Sequence, residues 1–293
     1  MSTEQLIHDL MAIERRHAGT ISMDVRRLDR PGRFSLREHE ILPTASTCKL
    51  FVLCELFRQA EAGLVDLCAP ITAEPEFWCG GDGVLRAMHL PETLSAYNMA
   101  VLMIIASDNV ATAAVIDLVG ADNVTRAVRD WGLADTTVHD RFDEWPRNPT
   151  ASDPESSAHD LCSLVTRIWE HEILSPASCD DILRIMRAQR INDMLPRYIP
   201  VGTDRGQADQ WIASKTGYGA CTVEVGIVHT RDLAFSLAAF FKPDEKTRPQ
   251  FKCLADHPPV LAVAEVCRAV YECAPFWSSD DTAAGRKPER LKG

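Results

Sequence analysis

The sequence predicts an α+β fold: a five-stranded antiparallel sheet built from both termini, flanked by helices, with an inserted all-helical lobe. Two observations support this prediction. Alternating apolar patterns typical of strands occur near both ends of the chain, whereas the long middle has helical periodicity. One sheet made from the two ends, covered by helices, is the economical way to bury these apolar faces.

The chain opens with a helix followed by a hairpin. Apolar residues at helical spacing predict an amphipathic helix over residues 5–16. Residues 20–28 and 34–40 predict two strands, and the turn-forming residues 30–33 between them predict a hairpin.

The middle of the chain is predicted to be helical from Ser46 to about Arg190. The residues 95–106 are apolar almost all round, which is typical of a buried helix. Residues 141–154 contain three prolines and little periodicity, and therefore predict a long loop. The predicted helices are residues 49–62, 95–106, 110–119, 123–131, 160–171 and 180–188.

Strand patterns return near the C-terminus, at residues 210–215, 223–229 and 233–241, and a closing helix is predicted over 259–273. We expect one domain spanning residues 1–275. Its parts are a sheet lobe of about 1–42 and 200–275, a helical lobe of about 43–199, and a polar C-terminal tail, 276–293, that follows the domain.

Composition narrows the function classes. The chain has 293 residues, of which 46% are hydrophobic and 25% charged, with a net charge of -11. This charge disfavours nucleic-acid binding and docking on an anionic membrane. No apolar run is long enough to span a bilayer, and no signal peptide is visible at the start, which predicts a cytoplasmic protein. A periplasmic or secreted location is the alternative if an export signal has been removed.

Neither the cysteines nor the histidines predict a cofactor. None of the ten cysteines forms a CxxC pair, and most lie among apolar neighbours, which favours free buried thiols. The nine histidines are dispersed without ligand spacing. We therefore expect no metal or organic cofactor, and we interpret His39, His139 and His229 as structural or exposed.

Ser46 and Lys49 form an SxxK motif at the start of an apolar helix. Residues three apart in a helix share a face, so Lys49 can reach the Ser46 hydroxyl if both lie in the first turn. The partial positive charge of a helix N-terminus would favour an oxyanion at Ser46 and lower the pKa of Lys49. By itself the motif fits a serine cap followed by a solvated lysine better than a nucleophile with its base.

A second motif, Ser107-Asp108-Asn109, follows the most apolar helix of the chain. A short polar loop on such a rigid support can direct Ser107 and Asn109 into a cleft. The alternative is that Ser107 or Asp108 simply caps the next helix.

The third motif, Lys215-Thr216-Gly217, ends a predicted strand. It would supply a fixed positive charge, a hydroxyl, and a glycine that lets a substrate backbone approach closely. The alternative is an edge-strand lysine followed by a turn. The combination and order of the three motifs favour a catalytic site over the structural alternative for each motif. Ser46 is also the only serine with a lysine three residues later.

The chain resembles class A β-lactamases and related penicillin-binding serine acyl-transferases over nearly its whole length. The segments that carry the resemblance are ILPTASTCK, LSAYNMAVLMIIASDNVAT and WIASKTGYG. The resemblance implies a β-lactamase-like fold and catalytic roles for Ser46 as nucleophile, Lys49 as proton acceptor and Ser107 as proton donor to the leaving nitrogen. The backbone N–H groups of Ser46 and Tyr218 would form the oxyanion hole.

The resemblance also implies substrate-binding residues and a deacylating carboxylate. Asn109 would orient Lys49 or the substrate amide, and Lys215 and Thr216 would hold a substrate carboxylate or support Ser107. Gly217 would belong to the substrate-binding residues by letting the substrate approach closely. Glu144 and Asn148 match the family's spacing of a water-activating glutamate and an asparagine. Asp143 is the reserve, because the preceding arginine-aromatic pair aligns better with it.

Three features depart from the family. Residues 222–226 lack the arginine that often binds a substrate carboxylate, although Arg205 or Arg231 could substitute. Tyr218 follows the lysine motif where smaller residues are common. The missing export signal is the third departure.

Three functions remain open, none of which requires a cofactor. The leading hypothesis is a serine hydrolase that opens β-lactam-like amides through an acyl-Ser46 intermediate. The second is an intracellular biosynthetic esterase, peptidase or acyltransferase on the same fold. The third is a β-lactam-binding sensor that stays acylated. In each, the partner is a small-molecule amide or ester, not a nucleic acid or a membrane.

Overall fold

The structure is a computed structural model that describes residues 2–139, 142–148, 152–201, 209–245 and 255–277. The helices in the described ranges are α1 (Thr3–His17), α2 (Lys49–Glu61), α3 (Ala96–Ile105), α4 (Asn109–Val119), α5 (Ala121–Asp130), α6 (Ala158–Trp169), α7 (Pro176–Arg187) and α8 (Pro258–Cys273). The strands are β1 (Gly19–Arg27), β2 (Arg33–Leu36), β3 (Leu42–Pro43), β4 (Pro70–Ala73), β5 (Glu92–Ser95), β6 (Glu155–Ser156), β7 (Trp211–Tyr218), β8 (Thr222–His229) and β9 (Ala234–Pro243).

One five-stranded antiparallel sheet unites the two ends of the chain, as the sequence predicts. Its strand order is β2-β1-β9-β8-β7. The central pairing of β1 with β9 runs from Gly19 opposite Pro243 to Arg27 opposite Phe235. Because the first and last thirds of the chain share this sheet, the middle of the chain must leave it and return.

The two faces of the sheet belong to two apolar cores. On β8, Val223, Val225 and Ile227 join the larger core with the helices of the middle of the chain. Val228 faces the smaller core, which α1 and α8 cover. This alternation follows from the two-residue period of side chains along a strand. It also means that neighbouring residues of β7 face different environments.

The middle of the chain is mostly helical but also contains two short strand pairs that periodicity did not predict. β4 pairs with β5, and β3 pairs with β6, both antiparallel. These strands have two to four residues each. Segments so short leave no alternating pattern to detect, and their pairing is defined by the surrounding fold.

The structure revises two boundaries. Ser46 lies in a 3₁₀ turn, Ala45–Cys48, and α2 begins only at Lys49. At the other end, Trp277 is buried and stacks on Phe34 with ring centroids 6.1 Å apart, so the predicted tail starts too early. The rest of that tail lies outside the described residues.

The nine cysteines in the described ranges are thiols outside disulfides, and eight of them are buried, as the sequence predicts. The tenth, Cys253, falls outside those ranges. Within the same ranges, none of the helices has the length and apolar character needed to cross a bilayer.

Candidate active site

A pocket of about 200 Å³ opens beside Ser46. The 3₁₀ turn, the start of α4, the loop before β6 and the end of β7 all contribute to its wall. The lining residues are Ala45, Ser46, Asn109, Trp145, Pro146, Asn148, Asp153 and Tyr218.

The turn that carries Ser46 is held from several sides. Both the backbone N–H and the hydroxyl of Thr44 donate to the carbonyl of Pro154, each at 2.8 Å. Ala45 has a φ of 46°, in the left-handed region that non-glycine residues rarely adopt. Such strain persists only where the surroundings enforce it, and it is often found at functional sites.

The end of β7 packs directly against this turn. A Cβ atom on Gly217 would lie 2.8 Å from the Thr44 carbonyl oxygen and 3.2 Å from the Ser46 nitrogen. Glycine is therefore required there so that the strand can approach Ser46. The approach brings Tyr218, the next residue, to the pocket wall.

Lys49 is fully buried and makes three hydrogen bonds. Its amine donates to the Ser107 carbonyl at 2.7 Å, to the Ser107 hydroxyl at 3.1 Å and to Asn109 Oδ1 at 2.7 Å. The Lys49 Nζ also lies 5.8 Å from the centroid of the Trp145 ring. The first two motifs are thus joined through one amine.

The second motif is shaped by Asp108, which caps α4 through a bond from the Ala111 N–H to Oδ1 at 3.0 Å. Its other oxygen accepts from the N–H groups of Val84 and Leu85, at 2.6 and 2.8 Å. Ser107, just before the cap, has a φ of 49°. Asp108 therefore caps α4, and Asn109 lines the Ser46 pocket, whereas Ser107 is buried and is not among the described lining residues.

A glycine-containing loop fixes the orientation of Asn109. The Asn109 side-chain N–H donates to the Gly80 carbonyl at 2.8 Å, which turns Oδ1 toward Lys49. Gly83 in the same loop has a φ of +129°, and a Cβ there would lie 2.5 Å from Asp108 Cγ. Only glycine allows this loop to pack so closely on the motif.

Lys215 brings the third motif into the same network. It is fully buried, and its amine donates to the Ser107 hydroxyl at 3.2 Å and to the Thr216 carbonyl at 2.7 Å. The lysine therefore supports Ser107, one of the two roles that the resemblance implies.

Burial lowers the pKa values of both amines. The pKa of Lys49 falls to about 8 because water is excluded from its charged form, although nearby acidic groups oppose the shift. The pKa of Lys215 falls to about 7, through burial first and the charge of Lys49 second. Lys49 thus has a substantial neutral fraction near neutral pH and can accept a proton.

The Ser46 hydroxyl forms no hydrogen bond within the described ranges, and Lys49 directs its amine to Ser107 and Asn109 instead. Ser46 and Asn109 nevertheless line one pocket. Catalytic hydrogen bonds are often long without substrate and tighten in the complex. The three motifs are therefore joined through Ser107 and Asn109 beside the Ser46 pocket.

The loop predicted to carry the deacylating carboxylate lies at the other side of the pocket. Glu144 is half-buried, and Oε2 accepts from the Asn148 side-chain N–H at 2.5 Å. Asn148 lines the pocket, so Glu144 contacts the lining through it. Asp143 is exposed, which favours Glu144 of the two.

Two residues are placed differently from what the family resemblance implies. Thr216 is buried opposite Glu224 on β8, and its hydroxyl has no hydrogen-bond partner among the described residues. Arg231 lies in the turn between β8 and β9, at the far end of these strands, and pairs with Asp209 at 3.5 Å. It cannot replace the absent arginine, and Arg205 lies outside the described residues.

Trp145 and Asp153 are site residues that the sequence did not predict. The Trp145 indole N–H donates to Asp153 Oδ1 at 2.9 Å, and both residues line the pocket. They lie in a loop without periodicity, and the position of Asp153 beside Pro154 was the only available signal. Asp153 is the carboxylate among the described lining residues.

The chain belongs to the beta-lactamase enzyme family, whose sequence model matches residues 4–274. The fold is that of β-lactamases. Membership of this family supports a serine hydrolase in general terms. No curated protein sequence matches the chain.

Solved structures extend this similarity. A beta-lactamase from Sphaerobacter thermophilus has a TM-score of 0.81 at 24% identity, covering 94% of this chain and 98% of that one. PBP-A, as a single-residue mutant described as an acyl-enzyme complex with penicillin-G, has a TM-score of 0.76 at 27% identity, covering 92% and 96%. A variant of the last common ancestor of Gram-negative bacteria class A β-lactamase has a TM-score of 0.77 at 21% identity, covering 92% and 97%.

Proposed function

We propose that this chain is a serine hydrolase of the class A type, which cleaves amide bonds in β-lactam-like substrates through an acyl-Ser46 intermediate. The observation that supports the proposal most strongly is the buried network in which Lys49 and Lys215 share the Ser107 hydroxyl beside the Ser46 pocket. Burying two amines against one serine hydroxyl is costly, which favours a chemical role over a structural one.

Acylation begins when the Ser46 oxygen attacks the substrate carbonyl carbon. The Ser46 proton passes to the neutral Lys49 amine, of which about a tenth is present at pH 7 with a pKa of about 8. The negative charge that develops on the carbonyl oxygen is stabilised by the backbone N–H groups of Ser46 and Tyr218.

Collapse of this intermediate breaks the carbon–nitrogen bond. The Ser107 hydroxyl donates its proton to the leaving nitrogen, and the Lys49 ammonium returns the proton taken from Ser46 to Ser107. Lys215 holds Ser107 in place during this transfer. The product of this half-reaction is an ester on Ser46, with the lysines restored to their starting state.

Deacylation requires a water molecule and a base. In the proposal, Glu144 removes a proton from water, which attacks the Ser46 ester, and Asn148 orients both. The released Ser46 oxygen then recovers a proton, which restores the enzyme. The half-buried position of Glu144 beside a lining residue supports this assignment.

A second candidate is a protein that acylates and turns over slowly. The carboxylate among the described lining residues is Asp153 and not Glu144, which favours slow deacylation. An intracellular biosynthetic esterase or acyltransferase remains the third candidate, since β8 carries Glu224 in a stretch without an arginine.

Incubation with a chromogenic cephalosporin, followed by intact-protein mass spectrometry, tests the proposal. We expect hydrolysis and a transient mass adduct, both abolished in Ser46→Ala. Ser178→Ala, partly exposed on α7 and outside the described pocket lining, is the matched control and should retain full activity.

A stable adduct without turnover would contradict the hydrolase hypothesis and support the candidate that deacylates slowly. Rapid hydrolysis of p-nitrophenyl esters with no reaction toward the cephalosporin would favour the esterase. Full hydrolysis by Ser46→Ala would contradict every version of the proposal that includes an acyl-serine.

A further inference from the structure

A second cluster of reactive side chains lies away from the Ser46 pocket. His39 follows β2, Asp135 follows α5, and His159 is in the first turn of α6. One ligand atom from each residue lies within 4.8 Å of those from the other two. None of the three is among the described residues that line the Ser46 pocket.

The three side chains are in close contact. His39 Nδ1 is 2.7 Å from Asp135 Oδ2, and the imidazole rings of His39 and His159 have centroids 4.6 Å apart with a 31° tilt. His39 and Asp135 are 96 residues apart in sequence, so no local spacing could reveal the cluster.

Neighbouring groups hold the potential ligands in place. Asp135 Oδ2 accepts from the Ser157 hydroxyl at 2.9 Å, and the Asp135 N–H donates to Asp160 at 2.8 Å. His159 Nδ1 is 3.2 Å from the same Asp160 carboxylate. Carboxylates that orient histidines in this way are a common outer layer of metal sites.

The chemistry of the three side chains indicates which metal ion the cluster would bind. Two imidazoles and one carboxylate suit zinc, whereas calcium and magnesium prefer oxygen ligands alone. A zinc ion with three protein ligands keeps a fourth position for water. The His39 side chain is 61% exposed, which leaves a path for the ion to enter.

We propose that His39, Asp135 and His159 form a zinc site that clamps the segment between β2 and β3 to the start of α6. Metal–ligand bonds of about 2.1 Å separate neighbouring ligand atoms by about 3.4 Å in a tetrahedron. The present separations, from 2.7 Å to at most 4.8 Å, bracket that value. Small side-chain rotations therefore complete the site.

The backbone already joins these segments, because the His159 N–H donates to the Glu38 carbonyl at 2.9 Å. Zinc would strengthen an existing contact between the sheet lobe and the helical lobe. The proposed ion joins two segments of the chain, with water in its fourth position, and is independent of the proposed acyl-serine chemistry.

Zinc titration by calorimetry, with untagged protein in a Cys68→Ser background, tests the site. The background removes the exposed thiol, a competing zinc ligand. We expect one saturable site whose Kd rises at least tenfold in His39→Ala and in His159→Ala. At zinc a hundredfold above Kd, the melting temperature should rise by roughly 5 °C.

His171→Ala is the matched control. His171 Nε2 also contacts a carboxylate, Asp180 Oδ1 at 3.0 Å, but the described residues offer it no third ligand. The variant should bind zinc as tightly as the parent. Cobalt substitution should give the absorption of nitrogen and oxygen ligands without a thiolate band.

Equal weakening by His171→Ala, or undiminished binding in His39→Ala and His159→Ala, would overturn the site. A lack of saturable binding at micromolar zinc would also overturn the site. It would mean that His39 and Asp135 form only a hydrogen-bonded pair. The melting temperatures without metal show whether each variant is folded, so a folding defect cannot be mistaken for lost binding.

Discussion

Lys49 and Lys215 direct their amines at the same atom, the Ser107 hydroxyl oxygen, at 3.1 and 3.2 Å. The two donors occupy both lone pairs of that oxygen, so the Ser107 proton is free to be donated to another group. Two buried amines so close together cannot both be charged without a large cost. This arrangement links proton transfer at the site to pH.

The first prediction concerns the pH profile of acylation. The base must be neutral, and the pKa values of Lys49 and Lys215 are lowered to about 8 and about 7. We therefore expect kcat/KM to increase with pH, with its midpoint near 8, and to level about one pH unit higher. Stopped-flow acylation rates between about pH 5.5 and 9.5 measure this, and a flat or falling profile would exclude a lysine base.

Lys49→Met should lower kcat/KM by about 10²-fold or more, because it removes the proton acceptor. Arg58→Met, on the same helix but partly exposed and paired with Glu55, is the control and should leave the profile unchanged.

The second prediction assigns the proton donor to the leaving group. Ser107→Ala should slow the hydrolysis of amides by about 10²-fold or more, because a poor leaving nitrogen must be protonated. It should affect activated esters much less, since their leaving groups depart without a proton. Comparison of one acyl group with amide and p-nitrophenyl leaving groups measures the difference. Equal losses for the two substrates would mean that Ser107 only supports the structure.

The third prediction separates the two carboxylates near the pocket. Glu144→Gln should leave acylation intact but slow deacylation by about 10²-fold or more, so that the acyl-enzyme accumulates in quenched mass spectra. Asp153→Asn retains an acceptor for the Trp145 indole and should deacylate normally. If Asp153→Asn traps the acyl-enzyme and Glu144→Gln does not, the base is Asp153.

Part of the site and of the fold could be predicted from the sequence. The chemistry-bearing motifs are short and contiguous, so the resemblance to the family could name Ser46, Lys49, Ser107, Asn109 and Lys215 from the sequence. The sheet could be predicted because its strands alternate and lie at both chain ends. In each case the information is local to a few residues.

Features that depend on contacts between distant segments could not be predicted. Asp153 reaches the pocket because Thr44 binds the carbonyl of Pro154, a contact across 110 residues. The cluster of His39 and His159 has the same origin, since it depends on how a turn packs on a helix. Asp143 and Glu144 are adjacent, and only their burial favours one over the other.

The fourth prediction is structural. Asp108 is fully buried, caps α4 and binds two further N–H groups, so Asp108→Ala leaves three buried donors without an acceptor. We expect a loss of about 2–4 kcal/mol in the free energy of unfolding, measured by urea denaturation. Asp117→Ala, on the exposed face of the same helix, should cost about 0.5 kcal/mol or less. A loss for Asp108→Ala as small as that of the control would mean that the loop at Gly83 is held by other contacts.

The fifth prediction concerns Glu224, which is fully buried behind Thr216 and whose carboxylate oxygens find no hydrogen-bond donor in the described part of the chain. The Ser214 hydroxyl and the Leu195 backbone are the nearby polar groups that favour its charged form, but neither has hydrogen-bond geometry. Burial dominates and raises the pKa of Glu224 to about 8 from 4.5. Between these values the folded protein keeps a proton that the unfolded chain releases, so stability falls as pH rises.

Glu224→Gln removes this titration and should flatten the pH dependence of stability between about pH 5 and 8, with the largest gain near pH 8. The two buried lysines act in the opposite direction and mainly above about pH 7, because their folded pKa values lie below 10.5. Comparing melting temperatures of the parent and the variant at each pH removes contributions that do not depend on Glu224. Lys215, whose positive charge favours the ionised form of Glu224, is coupled to it and does not cancel. Parallel curves for the two proteins from about pH 5 to 8 would show that Glu224 ionises normally inside the fold.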